Sequence, residues 1–582
     1  MSFRAPVRDL AFALSVVGHD ALIARAYPDL DKDTVSAVLE AAGAFATDVL
    51  SPLNRVGDRE GARFENGVVT AAPGFAQAYR AFVADGWNAL SADPAHGGQG
   101  LSKAMELAVF EMVHAANMAF GLCPMLTQGA IEALDLHGTE RQKRLILPRL
   151  VSGEWPGAMV LTESQAGSDL AQLTTRAEPD GQGGYLLTGQ KIFITWGDHD
   201  AADNICHLVL ARTPDAPPGV KGISLFLTTK YVVKDDGSLG PRNDFRAGSI
   251  EHKLGIHGSP TCVMLYEGAQ AELVGELGQG LPHMFVMMNA ARLQVGVQGV
   301  AIAERAFQQA LAFSQERRQG KAAWSADYPA AIYGHPDVRR TMMLMKAKIE
   351  AARAICLTTG VLADIAKHAQ DADERVAAKA RQDLLTPIAK AWSTDIGVEV
   401  ASMGLQVHGG MGFIEETGAA QHYRDARIAP IYEGTNGIQA IDLVGRKLRT
   451  GDGAAMKGLC AEMSLSAELL SKTPELAPVG RRLASGAAAL EQATDWMLAN
   501  GGAPSLAGAT PYLKLAGDVI GGWMLGRQAL AAAGSEDPWM QSKAALARVY
   551  AGQVLAQAPG LAEGVMDGTA DLEATSADAL GA

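Results

Sequence analysis

The spacing of apolar residues divides this 582-residue chain into regions of different character. From Asp33 to about Ser152 apolar residues recur at intervals of three and four, which predicts amphipathic helices. After Gly157 the apolar runs become short and β-branched, with Gly, Pro, Asp and Asn between them, and this pattern predicts strands. Because no long helix lies between these runs, they favour a compact, mostly antiparallel β-barrel of about 100 residues over alternating βαβ units. The predicted strands are 159–162, 184–195, 206–212, 222–230 and 261–267.

Helical periodicity returns near Gly280. The first three helices of this region are about 30 residues long, and long helices with short connections predict a bundle. Their predicted bounds are 284–319, 335–368 and 375–403, and a shorter helix follows at 438–448. After a Gly-containing linker at 450–453, Ala-rich patterns predict further helices at 483–500, 510–533 and 538–555.

The chain is too long for a single hydrophobic core, so we predict a multidomain α+β fold. In chain order its parts are a leader segment at 1–32, an N-terminal helical domain at 33–156, a central antiparallel β-barrel domain at 157–279, a helical bundle at 280–449 and an additional C-terminal helical domain at 450–582.

Charge and cysteine content narrow the function classes. The formal net charge of −14 repels nucleic-acid backbones and anionic membrane surfaces, so we expect neither as a partner. The five cysteines lie far apart without a CxxC pair, which argues against disulfides and thiolate metal sites and indicates a reducing compartment. No stretch approaches the roughly 20 apolar residues of a membrane span. We therefore predict a cytoplasmic protein with no metal site.

The common phosphate-binding and nucleophile motifs are absent from the sequence. The segments 98–100 and 278–280 lack the third glycine of a dinucleotide-binding loop, and neither lies between a strand and a helix. A Walker A loop and a Gly-x-Ser-x-Gly elbow are also missing. Any nucleotide cofactor must therefore be held by other means.

Three segments stand out together: LTESQAGSD at 161–169, GQKIFITWG at 189–197 and YRDARIAPIYEGTNG at 423–437. In this order, on a helical–β–helical chain, they resemble the acyl-CoA dehydrogenases over about residues 35–448. The resemblance implies an FAD cofactor and an acyl-CoA substrate. It also implies the desaturating step of fatty acid β-oxidation.

The central candidate residue is Glu433. Removal of a proton α to a thioester needs a base in a dry pocket, and burial suits a carboxylate to that task because it raises its pKa. Taken alone, Glu433 is better explained as an acid at the N-terminus of the helix that follows. The resemblance implies that Glu433 is the catalytic base, with its own backbone N–H and a flavin hydroxyl at the thioester oxygen. The alternative position that some family members use is occupied here by Ala291, which cannot act as a base.

The resemblance assigns the flavin ring to residues of the β-domain. Thr195 corresponds to a hydroxyl near flavin N5 and Phe193 to an aromatic side chain against the ring, where the family commonly has Trp. Leu161, Thr162 and Ser168 correspond to positions at the flavin edge and along the acyl-CoA path. Ordinary strand alternation is the competing interpretation of Phe193, and a capping role is the competing interpretation of Ser168.

A second set of residues corresponds to family positions that reach the flavin of a neighbouring subunit. Arg317 suits a pyrophosphate because a guanidinium can donate two parallel hydrogen bonds, although a cation favoured by a helix C-terminus explains it too. Gln406 and Gly410 match the adenosine-side loop, and Thr435 matches a diphosphate contact. The resemblance therefore implies a homo-oligomer, with a dimer preferred over a tetramer.

The predicted substrate contacts are Ser168, Arg292, Tyr432 and Gly434. We assign no proton transfer to Tyr432 or to His408, because a buried tyrosine more often forms a pocket wall and a histidine in a Gly-rich loop is more often a structural hydrogen-bonding group.

The leader and the C-terminal region resemble a longer subgroup, which includes the 3-methylmercaptopropionyl-CoA dehydrogenases and broad-range bacterial enzymes. Its electron acceptor is expected to be an electron-transfer flavoprotein. One alternative is an acyl-CoA oxidase that uses O₂. Another is a catalytically retired relative that binds DNA, but residues 451–582 contain 8 Lys and Arg against 14 Asp and Glu, which opposes DNA binding.

Overall fold

The computed structural model describes residues 3–567 and 569–581, and these cluster into two compact units. The barrel unit contains residues 40–294 together with residues 3–5. The bundle unit contains residues 6–39 and 295–581. The division falls within two helices, one in the N-terminal part and one at the start of the bundle.

The first 156 residues are mainly helical, as predicted. Several helices begin at polar caps, for example at Ser102, whose hydroxyl accepts the Met105 N–H at 3.2 Å, and at Thr139, which forms a capping box with Gln142. The elements of this part are α1 (Val7–Val16), α2 (His19–Ala26), α3 (Lys32–Phe45), α4 (Ser51–Glu60), β1 (Arg63–Glu65), β2 (Val68–Thr70), α5 (Phe75–Ala84), α6 (Lys103–Ala116), α7 (Met118–His137), α8 (Glu140–Leu145) and α9 (Leu147–Ser152).

The central region forms a sheet whose strands close on themselves. The strands of this region are β3 (Gly157–Val160), β4 (Arg176–Pro179), β5 (Tyr185–Thr195), β6 (Cys206–Arg212), β7 (Ile223–Thr229), β8 (Tyr231–Val233), β9 (Leu239–Arg242), β10 (Phe245–Ile250) and β11 (Thr261–Val274). Strands β8 and β9 form a separate two-stranded sheet, and the other seven form the main sheet. Hydrogen-bonded pairs run from β11 through β5, β4, β6 and β7 back to β11, which confirms the predicted barrel. Most pairs are antiparallel, while β6 pairs in parallel with β3 and β4.

Strand β11 is twice as long as the predicted strand 261–267. The sequence pattern breaks at Gly268, which has a φ of 97°. The strand continues past an irregularity in its register there, so that Leu273 pairs with Phe226 of β7. A bulge thus lets one strand serve two neighbours, whereas the local pattern indicated a strand end.

The bundle and the C-terminal region are both helical, as predicted. The bundle helices are α10 (Gly280–Glu316), α11 (Pro336–His368), α12 (Ala372–His408), α13 (Ala419–Ala426) and α14 (Asn436–Asp442). Those of the C-terminal region are α15 (Ala454–Lys472), α16 (Ala477–Ala499), α17 (Ala503–Ala507), α18 (Ala509–Ala531), α19 (Pro538–Gln553), α20 (Ala558–Met566) and α21 (Thr569–Ala574).

Helices α10 and α12 approach closely because small residues lie where they meet. A Cβ added at Gly299 would lie 2.3 Å from the backbone oxygen of Ser393, and one at Gly397 would lie 2.8 Å from the oxygen of Gly299. The close approach positions the middle of α12 within the bundle, where Lys390, Ala391, Thr394 and Asp395 bond the loop that contains Glu433.

Buried ion pairs tie the leader and the C-terminal helices to the bundle. Lys543 of α19 donates to Glu350 of α11 at 2.7 Å, and Lys346 of α11 donates to Asp9 of α1 at 3.0 Å. Burial raises the pKa of Asp9, but the neighbouring cations outweigh this effect and hold it well below its ordinary value. Leader, bundle and C-terminal helices therefore form one unit.

All five cysteines are buried and free. In residues 3–567 and 569–581 no group of three His, Cys, Asp or Glu side chains is arranged to hold a metal ion. One helical stretch in these residues, 32–60, has the length and apolar composition of a membrane span, although core helices of other proteins meet the same criterion.

Candidate functional site

A β-bulge near the end of β5 exposes Phe193. Cys262 pairs with Ile194 and Met264 with Lys191, so two residues of β5 lie opposite one residue of β11. Phe193 has a φ of 58° and its side chain is 59% exposed. Bulges re-aim side chains beside binding sites, and a large exposed aromatic ring in a left-handed backbone conformation is unusual unless a ligand or partner covers it.

The segment with Leu161 and Thr162 lies directly against this bulge. The Ile192 N–H donates to the carbonyl oxygen of Thr162 at 2.9 Å, and the Lys191 ammonium donates to the oxygen of Leu161 at 2.8 Å. Leu161 and Thr162 therefore lie beside the bulge that exposes Phe193, within the barrel unit.

Glu163 and Lys191 form a buried ion pair beneath these residues. Their closest N–O distance is 2.9 Å, and both side chains are almost fully buried. Burial raises the pKa of Glu163, but the Lys191 charge and hydrogen bonds from Thr175 and Thr174 outweigh it and lower the pKa to about 2. Burial lowers the pKa of Lys191 to about 8 despite the opposing charge of Glu163. The pair anchors the Leu161–Glu163 backbone to β5.

The other predicted site residues of the barrel unit are Thr195, Ser168 and Arg292. Thr195 ends β5 opposite Thr261, and the next residue, Trp196, has a φ of 52° and a buried indole. Ser168 lies exposed in the loop that follows the Glu163–Ala166 bridge. Arg292 of α10 is buried, with its guanidinium 3.3 Å from Asn289 and its Cζ 5.7 Å from the centre of the Phe285 ring.

In the bundle unit, Glu433 lies at the tip of a tight loop between α13 and α14. Its φ is 56°, and that of Gly434 is 83°. The Asn436 N–H donates to the oxygen of Pro430 at 2.9 Å and closes the loop. Thr435, the N-cap of α14, accepts the N–H of Ile438 at 3.2 Å. A glutamate in a left-handed conformation costs about 1–3 kcal/mol, and such strain persists where the surrounding structure enforces it.

Tyr432, beside Glu433, is hydrogen-bonded through its hydroxyl to the buried side-chain oxygen of Gln298. Burial, together with the charge of Glu433, raises the pKa of Tyr432 well above its ordinary value. The hydroxyl therefore stays protonated and hydrogen-bonded to Gln298, as expected of a residue that forms the wall of a site and transfers no proton.

Three predicted nucleotide-binding residues, Arg317, Gln406 and Gly410, lie at or just after the C-terminal ends of α10 and α12, whereas Thr435 lies at the start of α14. The His408 ring packs on Phe313, with centroids 4.5 Å apart, and its Nδ1 bonds the oxygen of Gly404 at 2.7 Å. Burial lowers the pKa of His408, so this histidine is a neutral structural group near pH 7. The packing places Arg317 near the segment that contains Gln406 and Gly410, and all three are exposed.

These features fit an FAD cofactor. Phe193 offers an uncovered aromatic face, and the backbone around Thr162 offers polar groups beside it. At Gly410 an added Cβ would meet nothing within 4 Å, and the exposed arginine Arg317 suits an anionic group. Lys191 and Glu163 lie inside the motifs quoted above but give no signal of their own in the sequence, because charged residues in such patterns usually face solvent.

Comparison with known proteins gives the family. Four family models match in succession: "Acyl-CoA dehydrogenase, N-terminal domain" over residues 32–154, "Acyl-CoA dehydrogenase, middle domain" over 158–269, "Acyl-CoA dehydrogenase, C-terminal domain" over 278–448 and "Acetyl-CoA dehydrogenase C-terminal like" over 454–576.

Individual relatives match over nearly the whole chain. A 3-methylmercaptopropionyl-CoA dehydrogenase of Ruegeria pomeroyi is 45% identical, over 96% of this chain and 97% of its own. A broad-specificity linear acyl-CoA dehydrogenase of Mycobacterium tuberculosis is 32% identical, over 94% and 95%. The fold matches an acyl-CoA dehydrogenase complexed with FAD from Bacillus anthracis at a TM-score of 0.75 and 21% identity, over 94% and 91%. The chain belongs to the acyl-CoA dehydrogenase family of FAD-dependent oxidoreductases.

Proposed function

We propose that this enzyme introduces a double bond between the α and β carbons of an acyl-CoA thioester, with Glu433 as the base. The carboxylate of Glu433 removes the α-proton, and its backbone N–H donates to the thioester oxygen, where negative charge develops. FAD, when bound, would supply the acceptor for the hydride that leaves the β carbon, and the product would be a 2-enoyl-CoA. The observation that carries the proposal is the enforced left-handed conformation of Glu433 at the tip of a closed loop.

Further contacts support the same assignment. Tyr432 is held as a wall by Gln298, and Ala291 leaves the alternative base position without an acid. We propose that Thr195, Phe193, Leu161, Thr162 and Ser168 contact the flavin and that Ser168, Arg292 and Gly434 contact the thioester ligand.

We propose a short thioether acyl-CoA, 3-methylmercaptopropionyl-CoA, as the preferred substrate. The relative from Ruegeria pomeroyi, which carries that name, is 45% identical over 96% of this chain and 97% of its own. A broad range of linear acyl-CoAs is the second candidate, favoured by the 32% identical mycobacterial enzyme. We propose a cytoplasmic homodimer that passes its electrons to an electron-transfer flavoprotein. Hydrogen peroxide in amounts equal to product during aerobic turnover would instead indicate an oxidase.

The test is anaerobic flavin bleaching by a panel of short, long, branched and thioether acyl-CoAs, with Glu433→Gln alongside the unaltered enzyme. Glu433→Gln keeps the side-chain shape and removes the base, so we expect bleaching to slow by at least about 10³-fold while FAD stays bound. Glu416→Gln is the matched control, because Glu416 is an exposed glutamate elsewhere in the bundle unit. Undiminished bleaching in Glu433→Gln would remove Glu433 from the mechanism.

A further inference from the structure

Lys390 of α12 is a fully buried lysine that holds the loop containing Glu433. Its ammonium donates to the carbonyl oxygen of Gly434 at 2.8 Å and to Oδ1 of Asn436 at 2.9 Å. The first bond fixes the peptide that follows Gly434. The second fixes the residue at which α14 begins. A charged donor forms stronger hydrogen bonds than a neutral one, and burial strengthens them further.

Asn436 fastens the same loop to α12 through its other side-chain atoms. Its Nδ2 lies 3.0 Å from the oxygen of Ala391, 3.0 Å from Oγ1 of Thr394 and 2.8 Å from Oδ1 of Asp395. The Lys390 ammonium requires an oxygen facing it, so the orientation of the Asn436 amide is determined.

The tip of the loop depends on side chains for support, because the backbone hydrogen bond that closes the loop lies at its base. The Asn436 N–H to Pro430 bond closes the loop there, whereas the tip contains Glu433 and Gly434 with φ values of 56° and 83°. At the tip, the carbonyl oxygen of Gly434 accepts from Lys390, and that of Glu433 accepts from Nε2 of Gln439 at a long 3.5 Å. Lys390 therefore restrains the peptide between Gly434 and Thr435 with the shorter bond, while Gln439 restrains the adjacent peptide between Glu433 and Gly434 with the longer one.

We infer that Lys390 is a positioning residue for the reaction, which keeps the carboxylate and the backbone N–H of Glu433 aimed at the substrate. This inference rests on the proposed role of Glu433. Lys390 itself contacts loop backbone and Asn436, and it transfers no proton. Its effect on the reaction is geometric, and a displacement of about 1 Å at a reacting group can lower a rate about 100-fold.

The experiment compares the unaltered FAD-loaded enzyme with Lys390→Met and Asn436→Ala. Each variant removes one of the two side chains that hold the loop. Lys543→Met is the matched control, because Lys543 is also a buried lysine of the bundle unit and donates to Glu350, away from the loop. Three quantities are measured: amide hydrogen exchange in peptides that cover residues 430–437, the limiting rate of anaerobic flavin bleaching, and FAD content with the thermal midpoint.

We expect Lys390→Met to accelerate exchange in residues 430–437 and to slow bleaching about 100-fold, with the half-saturating substrate concentration changed by less than about threefold. Asn436→Ala should act in the same direction. The two effects should not add in the double variant, because both residues hold one loop. Lys543→Met should lower the thermal midpoint and leave the exchange pattern at 430–437 and the bleaching rate of folded enzyme unchanged.

A spectroscopic reading separates positioning from loss of stability. A 3-thia-acyl-CoA can lose its α-proton but has no hydride to transfer at sulfur, so its enolate accumulates beside oxidised flavin and absorbs at long wavelength. Weaker support from the Glu433 N–H should raise the pH at which this absorption appears in Lys390→Met by about one unit or more. A purely structural lysine would leave that pH unchanged, and this result would overturn the inference.

Failure of the inference differs from failure of the proposed function. If Glu433→Gln bleaches normally, the base is elsewhere. If Glu433→Gln is inactive while Lys390→Met matches the unaltered enzyme in exchange, bleaching and the pH of enolate formation, Glu433 is the base and Lys390 does not position it.

Discussion

Trp392 of α12 donates its indole N–H to Oδ1 of Asp518 in α18 at 2.9 Å, and both side chains are buried. Gly517, the residue before Asp518, lies against the indole of Trp392. A Cβ added there would lie 2.3 Å from two ring atoms. The hydroxyl of Tyr550 donates to the backbone oxygen of Asp518 at 3.0 Å, so α19 joins the contact. The C-terminal helices are thus attached to the bundle helix that also carries Lys390.

We expect Gly517→Ala to lower the thermal midpoint, because the added methyl group overlaps the indole and overpacking costs about 1–3 kcal/mol. Differential scanning calorimetry of the purified enzyme checks this. Gly552→Ala is the control, since a Cβ at Gly552 of α19 meets nothing within 4 Å and alanine favours a helix. Equal thermal midpoints for the two variants would show that the contact between Gly517 and Trp392 does not limit stability.

The element types could be predicted because each region keeps one hydrophobic period over many residues. Strand β6 has the bounds predicted for it, and α11 begins one residue from its predicted start. Helix α15 escaped prediction although its buried residues, among them Leu459, Met463 and Leu470, have helical spacing. The length of β11 could not be foreseen, because the bulge at Gly268 depends on pairing with distant strands.

The candidate site shows a similar limit. Glu433 and Phe193 were found by their motifs, and their unusual backbone conformations are visible only in three dimensions. Lys390 bonds the loop that contains Glu433, and Lys191 bonds the segment beside Phe193. Neither lysine gave a signal in the sequence, because nothing in a helix or strand pattern distinguishes a buried lysine from an exposed one. The partner of Lys390 lies 44 positions away in the chain. The site assignments and the domain boundaries stay predictions.

Glu163 should make the barrel unit sensitive to acid. Its pKa is lowered from 4.5 to about 2, so its contribution is fully present above pH 4.5 and is lost as the pH falls toward 2. Glu163→Gln leaves Lys191 buried without its anion. We therefore expect the free energy of unfolding to fall by about 3–5 kcal/mol at pH 7. Urea unfolding of both proteins between pH 7 and pH 3 should show this difference shrinking below about pH 4.5. A difference that is constant with pH would contradict the assignment.

Phe193 should contribute to flavin binding. Removing an aromatic ring from a stacked contact costs about 0.5–1.5 kcal/mol beyond the lost buried area, so Phe193→Ala should raise the FAD dissociation constant about tenfold or more. Titration of the apoprotein with FAD, followed by flavin fluorescence, measures it. Leu186→Ala on the same strand is the control, because Leu186 is also an exposed apolar residue of β5. Similar FAD affinities in the two variants would favour ordinary strand alternation at Phe193.

The exposed segment after α12 should be a contact between copies of this chain. Phe413 is 92% exposed and Met411 51% exposed, directly after Gly410, and apolar side chains so exposed mark an interaction surface. If Arg317, Gln406 and Gly410 reach the flavin of a neighbouring subunit, the same contact completes the cofactor site. We therefore expect Phe413→Asp to shift the enzyme toward monomer in analytical ultracentrifugation and to lower its FAD content in parallel. Leu465→Asp, at a 63% exposed apolar position in the C-terminal helices, should change neither quantity. A Phe413→Asp protein that is monomeric yet fully loaded with FAD would mean that each chain holds its flavin alone, and one that stays oligomeric and loaded would place the interface elsewhere.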